Sequence, residues 1–316
     1  MRPLDVDRIE AAGATIDPVF LGSPLIGSPS LNERLGVDLH CKVECLNPIR
    51  SFKGRGAECF VAEAAERTSA LVCASAGNFG QGLAYAGARR GLAVTVFAAE
   101  TANPLKVEAM RRLGAQVKLI GADFDAAKDA ARNFARQADA LFVEDGAEPA
   151  IAEGAGTIAR EVTEAGLAVR SALVPLGNGA LATGVGAWFK RAAPGTELVG
   201  VVAAGAPSML QSFEAGRPVP TSSAVTIADG IAVREPVPYA VASMATLIDH
   251  VVAVGEEVIV QAMRLVHEHL GIVVEPAGAV GVAAIVADPE RWRGHPVMTV
   301  LCGGNVTPEQ MRRWLL

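Results

Sequence analysis

The amino-acid sequence predicts an α/β protein in which parallel sheets are flanked by helices and arranged in two lobes. Short apolar runs alternate with longer segments of helical periodicity from residue 70 onward, a pattern typical of βαβ crossovers. The chain of 316 residues exceeds the roughly 100–200 residues of a typical domain, which favours two domains. An apolar content of 51% and a mean hydropathy of +0.32 supply a large core.

The alternation of strands and helices runs twice along the chain. In the first run we expect strands over 71–74, 93–98, 116–120 and 140–143, and helices over 78–90, 104–113 and 124–137. The second run starts after Gly146, with helices over 149–165, 180–191 and 256–270, and strands over 172–175, 197–203, 250–254 and 297–301. Residues 205–237 are rich in Pro, Ser and Gly, which predicts an irregular segment of a kind that is often functional.

Composition excludes several classes of protein. The 28 Lys and Arg against 34 Asp and Glu give a net charge of −6, which does not favour binding to nucleic acid or to an anionic membrane. The charged N-terminus lacks the apolar core of a secretory signal, and the longest apolar run, 277–287, is shorter than the roughly 20 residues that span a bilayer. We therefore expect a cytoplasmic protein.

The five cysteines are scattered, so we expect no disulfide framework, in keeping with a reducing compartment. Cys41 and Cys45 lie on a predicted strand over 39–45, and no second pair completes a ligand set. The sequence therefore predicts no metal site.

A lysine at a predicted helix start is the first candidate for chemistry. Lys53 stands within the run SFKGRGA of residues 51–57. A surface lysine is one interpretation. However, a cation at a helix N-terminus opposes the helix dipole, and a lysine that forms a Schiff base is the alternative that explains the placement.

Two junctions between a strand and a helix are candidates for binding anions, because N–H groups at helix N-termini bind carboxylates and phosphates. The first is the serine turn, composed of Ser75, Ala76, Gly77 and Asn78. An ordinary turn capped by Ser75 or Asn78 remains the alternative there. The second is the glycine turn, composed of Gly177, Asn178, Gly179, Ala180 and Leu181. Its spacing is not G-x-G-x-x-G, and Glu197 opens its strand rather than ending it, so a phosphate cup is favoured over a dinucleotide site.

Two later segments complete the set of motifs. Glu275 opens the run EPAGA at 275–279, and Cys302 precedes the run GGNV at 303–306. Cys302 lies at the carboxyl end of a predicted strand, where α/β sheets hold ligands. A buried small apolar side chain is the alternative interpretation of this cysteine.

Together the five motifs resemble the fold-type II pyridoxal phosphate enzymes, and most closely the threonine/serine dehydratase family. Residues 51–57 reproduce the family's Ser-Phe-Lys-x-Arg-Gly-Ala motif, and the serine turn reproduces its Ser-Ala-Gly-Asn; 226–233, 275–279 and 303–306 also match. The resemblance extends from about Thr15 to Val306. It implies a two-lobed, tryptophan synthase β-like fold, with a large cofactor-binding domain from 1–60 and 147–316 and a small domain from 61–146.

The resemblance also implies individual roles in binding pyridoxal 5'-phosphate. Lys53 is expected to bond the cofactor as a Schiff base, Asn78 to hydrogen-bond its ring hydroxyl, and Cys302 to face its pyridine nitrogen. The other expected cofactor contacts are Phe52, Glu275 and the glycine turn of Gly177, Asn178, Gly179, Ala180 and Leu181. The expected substrate contacts are Ser75, Ala76, Gly77, Asn78 and, on the opposite wall, Gly230.

The chain departs from the family pattern at several positions. Phe79 replaces a usual His, and Asn178 and Ala180 interrupt a usual run of four glycines. Arg50 replaces a common Gly; it reaches a second substrate carboxylate or, the favoured interpretation, is solvated. Ala76 stands where racemases of this fold have a serine, which disfavours racemisation. Ala204 stands where members with a divalent-cation site often have Glu, which disfavours a structural cation.

The resemblance implies an ammonia-lyase that converts L-threonine, L-serine or a related 3-hydroxy amino acid to a 2-oxo acid and ammonia, as a homodimer. The alternatives are a 3-hydroxyaspartate dehydratase, a β- or γ-replacement enzyme similar to threonine or cysteine synthases, and a non-catalytic ligand-binding relative. Phe79 argues mildly against replacement, and Lys53 argues against loss of catalysis. Because the last motif lies near Leu316, we expect no appended regulatory domain and no amino-acid feedback.

Overall fold

Two sheets organise the computed structural model, which describes residues 2–316. Their strands are β1 (Leu25–Gly27), β2 (Asp38–Val43), β3 (Ala70–Ala74), β4 (Ala93–Ala98), β5 (Gln116–Leu119), β6 (Leu141–Val143), β7 (Ser171–Pro175), β8 (Glu197–Ala203), β9 (His250–Val254) and β10 (Pro296–Leu301). The smaller sheet has the order β5-β4-β3-β6, and the larger has the order β1-β2-β10-β7-β8-β9. Neighbouring strands are parallel, apart from the antiparallel pair of β1 and β2.

Helices flank both sheets. They are α1 (Val6–Ala11), α2 (Pro29–Leu35), α3 (Lys53–Ala64), α4 (Asn78–Arg90), α5 (Pro104–Arg112), α6 (Phe124–Gln137), α7 (Pro149–Glu164), α8 (Ala180–Ala192), α9 (Ser208–Ala215), α10 (Pro238–Leu247), α11 (Glu256–Leu270), α12 (Pro276–Ala287), α13 (Pro289–Trp292) and α14 (Pro308–Trp314). Every residue of β7 is buried, because helices cover both faces of the sheet. The predicted α/β class with parallel, helix-flanked sheets is therefore confirmed.

Local signals explain where several helices begin and end. Asn103 caps α5 by accepting a hydrogen bond from the Leu105 N–H, and Asp123 caps α6 by accepting one from the Ala126 N–H. Helix α4 ends at Gly91, whose φ of +70° places it in the left-handed region that favours glycine. Helices α4, α6 and α11 have the predicted bounds.

The prediction for residues 205–237 is wrong in part, because α9 lies within this segment. One face of α9, with Ser208, Met209 and Ser212, is buried, and the helix ends at Gly216 with a φ of +63°. The remainder holds only a single helical turn at Asp229–Ile231. Tertiary packing therefore orders a helix that the local composition does not indicate.

The apolar run at 277–287 forms most of α12, which packs on the larger sheet and against α11 with nearly all its side chains buried. Within residues 2–316, no helix has the length and apolar character that crossing a membrane requires. The strands of the four-stranded sheet all lie between residues 70 and 143, and those of the six-stranded sheet lie before and after this stretch. The domain boundaries at 60/61 and 146/147 stay a prediction.

Candidate active site

A cavity of about 540 Å³ lies where segments following several parallel strands converge. The serine turn follows β3, Asp145 follows β6, the glycine turn follows β7, and Cys302 follows β10. Such edges of parallel sheets are where α/β proteins hold ligands. The cavity is lined by all of the sequence-predicted site residues: Phe52, Lys53, Ser75, Ala76, Gly77, Asn78, Gly177, Asn178, Gly179, Ala180, Leu181, Gly230, Glu275 and Cys302.

Lys53 is the first residue of α3, at a helix N-terminus that has no side-chain cap. The helix dipole disfavours its positive charge there, and three groups offset this effect. The Nζ atom lies 2.5 Å from Oδ2 of Asp145, 4.6 Å from the centre of the Phe52 ring and 5.9 Å from that of the Phe79 ring. The fold therefore places an amine at the cavity wall with a carboxylate and two aromatic faces around it.

Ser75 organises the serine turn. Its Oγ accepts hydrogen bonds from the N–H groups of Gly77 and Gly80, at 3.2 and 3.0 Å. A side chain at Gly80 would collide with Met110, since a Cβ there lies only 2.5 Å from the methionine sulfur. Ser75 thus caps the start of α4, as the ordinary-turn interpretation predicts, and the turn borders the cavity. Binding of an anion at this turn stays a prediction.

A second lysine, Lys106 of α5, lies behind the serine turn. Its Nζ is 3.7 Å from the position a Cβ would take on Gly77 and 2.5 Å from Oδ2 of Asp229. Burial alone would lower the pKa of Lys106, but the nearby carboxylates of Asp229 and Glu275 raise it above its usual value. The turn expected to receive a carboxylate therefore has a permanent cation beside it.

Asn78 is held by two partners at the cavity wall. Its Nδ2 donates to Oε1 of Glu275 at 2.7 Å, and its Oδ1 accepts from Nδ2 of Asn305 at 2.8 Å. The backbone N–H of Asn305 also donates to Glu275. These contacts fix the orientation of the Asn78 amide and leave one N–H of Nδ2 for a ligand.

Glu275 is fully buried, and burial raises its pKa to about 7. The charge of Lys106 lowers this pKa and that of Asp229 raises it. Gly303 allows the carboxylate its position, because a Cβ on Gly303 would lie 2.3 Å from Glu275 Oε1.

We expect Glu275 to make stability depend on pH between 4.5 and about 7. The native state keeps a proton on Glu275 up to about pH 7, whereas an ordinary Glu releases it near 4.5. The free energy of unfolding should therefore fall by about 3 kcal/mol as the pH rises through this interval, and Glu275→Gln should lack this fall. Denaturant unfolding of the cofactor-free wild type and variant, from about pH 5 to about pH 8, measures the difference. Parallel pH profiles would contradict the expectation.

The glycine turn joins β7 to α8 in a conformation that needs its glycines. Gly179 has a φ of +92°, and a Cβ on it would lie 2.8 Å from that of Ala240. Backbone N–H groups at the start of α8 lack partners within the helix, and the helix dipole adds partial positive charge there. With no Lys or Arg in its sequence, the turn has the chemistry of a backbone phosphate cup.

Cys302 lines the same cavity at the end of β10. Burial raises the pKa of its thiol well above the usual value, and the Glu275 carboxylate adds to this effect. The thiol is therefore neutral at physiological pH and is a weak hydrogen-bond partner. An amine, a phosphate cup and a neutral thiol facing one cavity fit the aldehyde, phosphate and pyridine nitrogen of pyridoxal 5'-phosphate.

The surroundings of the cysteines and of other possible metal ligands also bear on the predictions. Among residues 2–316, no group of three or more His, Cys, Asp or Glu side chains is arranged to hold a metal ion. The five cysteines are buried and unpaired in this part of the chain.

Four residues at or near the cavity were not predicted from the sequence as site residues: Asp145, Lys106, Asp229 and Asn305. Asp229 and Asn305 lie within matched motifs, and Asp145 lies two residues after a strand, which is the signal that could have identified it.

Arg50 is exposed, lies outside the residues that line the cavity, and has a φ of +53°. Because side chains disfavour this left-handed conformation, Arg50→Gly should raise the free energy of unfolding by about 0.5–1 kcal/mol. The family resemblance implies turnover of hydroxy amino acids, and since Arg50 lies away from the cavity, the ratio of turnover with 3-hydroxyaspartate to turnover with L-serine should be the same in the variant and the wild type. Chemical denaturation and oxo-acid assays test both statements. A selective loss of 3-hydroxyaspartate turnover would instead assign Arg50 to a second substrate carboxylate.

Comparisons with known proteins agree with this geometry. Residues 16–303 match the family described as pyridoxal-phosphate dependent enzyme. An L-threonine ammonia-lyase of Thermotoga maritima is 35% identical over 98% of this chain and 78% of its own length. A further L-threonine ammonia-lyase, from Geobacter sulfurreducens, is 37% identical over 89% of this chain and 71% of its own length.

Solved structures show the same fold. The processed threonine deaminase isoform 2 from Solanum lycopersicum superposes with a TM-score of 0.89 and 30% identity, covering 98% of this chain and 93% of its own. Maize serine racemase superposes with a TM-score of 0.92 and 27% identity, covering 99% and 97%. With its lysine, glycine turn and neutral thiol around one cavity, this chain belongs to the pyridoxal phosphate-dependent enzymes of fold type II, in the threonine/serine dehydratase family.

Proposed function

We propose that this protein is an ammonia-lyase that converts L-threonine, L-serine or a related 3-hydroxy amino acid to a 2-oxo acid and ammonia. The observation that carries the proposal is the convergence of Lys53, the serine turn, the glycine turn and Cys302 on one cavity. The names of relatives that are 35% and 37% identical support the same substrate class.

The cofactor would be held by Lys53, by Asn78 at the ring hydroxyl and by the glycine turn at the phosphate. When bound, it supplies an electron sink for the charge that develops at the substrate Cα. Cys302 would lie at the pyridine nitrogen. Because this thiol is neutral, it provides no negative charge to keep that nitrogen protonated, which favours rapid β-elimination over transamination.

The chain's own groups supply binding and proton transfer. The backbone of the serine turn would bind the substrate carboxylate, with the positive charge of Lys106 behind it. Lys53, once released by the substrate amine, would take the Cα proton at Nζ. Ala76 carries no hydroxyl to donate a proton from the serine turn, so elimination is favoured over racemisation.

A substrate panel tests the proposal. Purified protein loaded with pyridoxal 5'-phosphate should release pyruvate from L-serine or 2-oxobutyrate from L-threonine, with ammonia in equal amount. The panel includes threo and erythro 3-hydroxyaspartate, and O-acetyl-L-serine with sulfide for the replacement reaction. Cofactor-loaded protein that releases no oxo acid from any hydroxy amino acid would overturn the proposal. A D-amino acid product would indicate racemisation.

We further infer a cytoplasmic homodimer with a large domain from 1–60 and 147–316 and a small domain from 61–146. The family resemblance supports the dimer, and the five unpaired buried cysteines suit a reducing compartment. The confinement of the four-stranded sheet to residues 70–143 supports the small domain. Light scattering after size-exclusion chromatography tests the dimer, and a monomeric mass would contradict it.

A further inference from the structure

Asp145 is a buried acid that the proposed function leaves without a role. It lies two residues beyond the end of β6, and its Oδ2 lies 2.5 Å from Nζ of Lys53. Its other oxygen, Oδ1, is buried and has no hydrogen-bond partner within residues 2–316. Burying a carboxylate is costly, and here the Lys53 ammonium is the cation that offsets the cost. Among residues 2–316, the Asp145 side chain therefore pairs with Lys53 and belongs to no wider network of hydrogen bonds.

The position of Asp145 is fixed by the chain that follows it. Gly146 has a φ of +86°, and a Cβ on it would lie 2.2 Å from the carbonyl oxygen of Asn178. The segment after β6 thus packs tightly against the glycine turn. Asp145 is therefore adjacent in the chain to a residue that packs against the turn that would bind the cofactor phosphate.

Several other carboxylates along the cavity have partners other than Lys53. Asp229 pairs with Lys106, Glu144 with Lys128, and Asp125 with Arg234. Glu275 accepts hydrogen bonds from Asn78 and Asn305. In contrast, the lysine beside Asp145 is the one expected to bond the cofactor. When Lys53 takes part in the reaction, Asp145 is the acid within reach of its nitrogen.

Dehydration needs an acid as well as a base. The base takes the Cα proton, and the departing β-oxygen, a poor leaving group as hydroxide, needs a proton to leave as water. We propose, on the basis of the function proposed above, that Asp145 is a catalytic acid that carries the proton from Lys53 to the β-oxygen of the substrate.

The proton transfers balance without an external acid. The Cα–H bond breaks and its proton goes to Nζ of Lys53. Nζ passes a proton to the Asp145 carboxylate, and Asp145 delivers it to the β-oxygen. The Cβ–O bond breaks with its electron pair on oxygen, a Cα–Cβ double bond forms, and water leaves. Lys53 and Asp145 both return to their starting protonation states.

The test compares two substrates that give the same oxo acid. L-serine loses hydroxide and needs the acid, whereas β-chloro-L-alanine loses chloride, which needs no proton. In Asp145→Asn, kcat for pyruvate release from L-serine should fall about 100-fold, whereas that from β-chloro-L-alanine should change by at most about threefold. Glu144→Gln is the matched control, and its ratio of the two activities should equal that of the wild type.

A cofactor titration provides a readout apart from turnover. Absorbance should show that Asp145→Asn binds pyridoxal 5'-phosphate as the wild type does, and borohydride reduction with peptide mapping should place the label on Lys53. Asp145→Ser, which also lacks the carboxyl group, should show the same selective loss if Asp145→Asn folds poorly. Equal losses with both substrates, or no loss with either, would overturn the acid role. A wild type that turns over β-chloro-L-alanine but no hydroxy amino acid would instead overturn the proposed function.

Discussion

Lys53→Ala is expected to lower kcat for oxo-acid release by at least about 1000-fold, because it removes both the amine that bonds the cofactor and the base at Cα. The variant should also lose the absorbance band of the lysine-bound cofactor. Coupled assay of pyruvate or 2-oxobutyrate and a spectrum of the loaded protein measure the two effects. Because the variant also removes the cation that faces the buried Asp145, circular dichroism and denaturant unfolding should accompany the assay to show that the protein remains folded.

Lys190→Ala is the matched control for this experiment. Lys190 lies on α8 and pairs with Asp249 outside the cavity, so its loss should leave turnover and the cofactor band unchanged. A Lys53→Ala protein that keeps the band would show that another group bonds the cofactor. Retained binding of amino acids without turnover in the wild type would favour the non-catalytic alternative.

The parts of the site that sequence predicts are those with local signals. Lys53 stands in a motif, and each anion-binding turn lies between an apolar run and a helical period. Parallel pairing places the serine turn after β3 beside the segment that follows β6, and the glycine turn after β7 beside Cys302 after β10. These two groups belong to different sheets, and they meet at one cavity through the tertiary arrangement of the sheets. Lys106 has no comparable signal, and Asp145 has only its position shortly after a predicted strand. Their roles arise from non-local proximity, Asp145 through the placement of β6 beside β3 and Lys106 through the pairing with Asp229.

The same distinction holds for the fold. The bounds of α4 were predicted because Gly91 ends a clear helical period. Helix α12 was not predicted, because a helix that is apolar on all sides has no amphipathic period to detect. Helix α9 was not predicted either, since the surrounding Pro, Ser and Gly residues dominate the local composition of 205–237.

A buried charge network supports the start of α3, two residues beyond Lys53. The Arg55 guanidinium donates to both carboxylate oxygens of Glu44, at 2.9 and 2.8 Å, and to Glu161 at 2.6 Å. Lys42 completes the network with a bond of 2.5 Å to Glu161, so two positive and two negative charges balance. Glu44 is at the end of β2 and Glu161 is on α7, so the network joins three elements around the catalytic helix.

Arg55→Met should lower the free energy of unfolding by about 3–5 kcal/mol, because it leaves the Glu44 carboxylate buried without its cation. Burial would raise the pKa of Glu161, but the hydrogen bond and charge of Arg55 lower it below 4.5. The pairing of Glu161 with Arg55 therefore stabilises the protein above pH 4.5, and this stabilisation is lost as the pH falls. The difference in free energy of unfolding between the wild type and Arg55→Met should accordingly become smaller in acid.

Arg112→Met is the control, because it breaks an exposed pair with Glu108 and should lower the free energy of unfolding by at most about 1 kcal/mol. Denaturant unfolding of the three proteins measures the losses, and an equal loss for both variants would show that the network contributes no more than a surface ion pair.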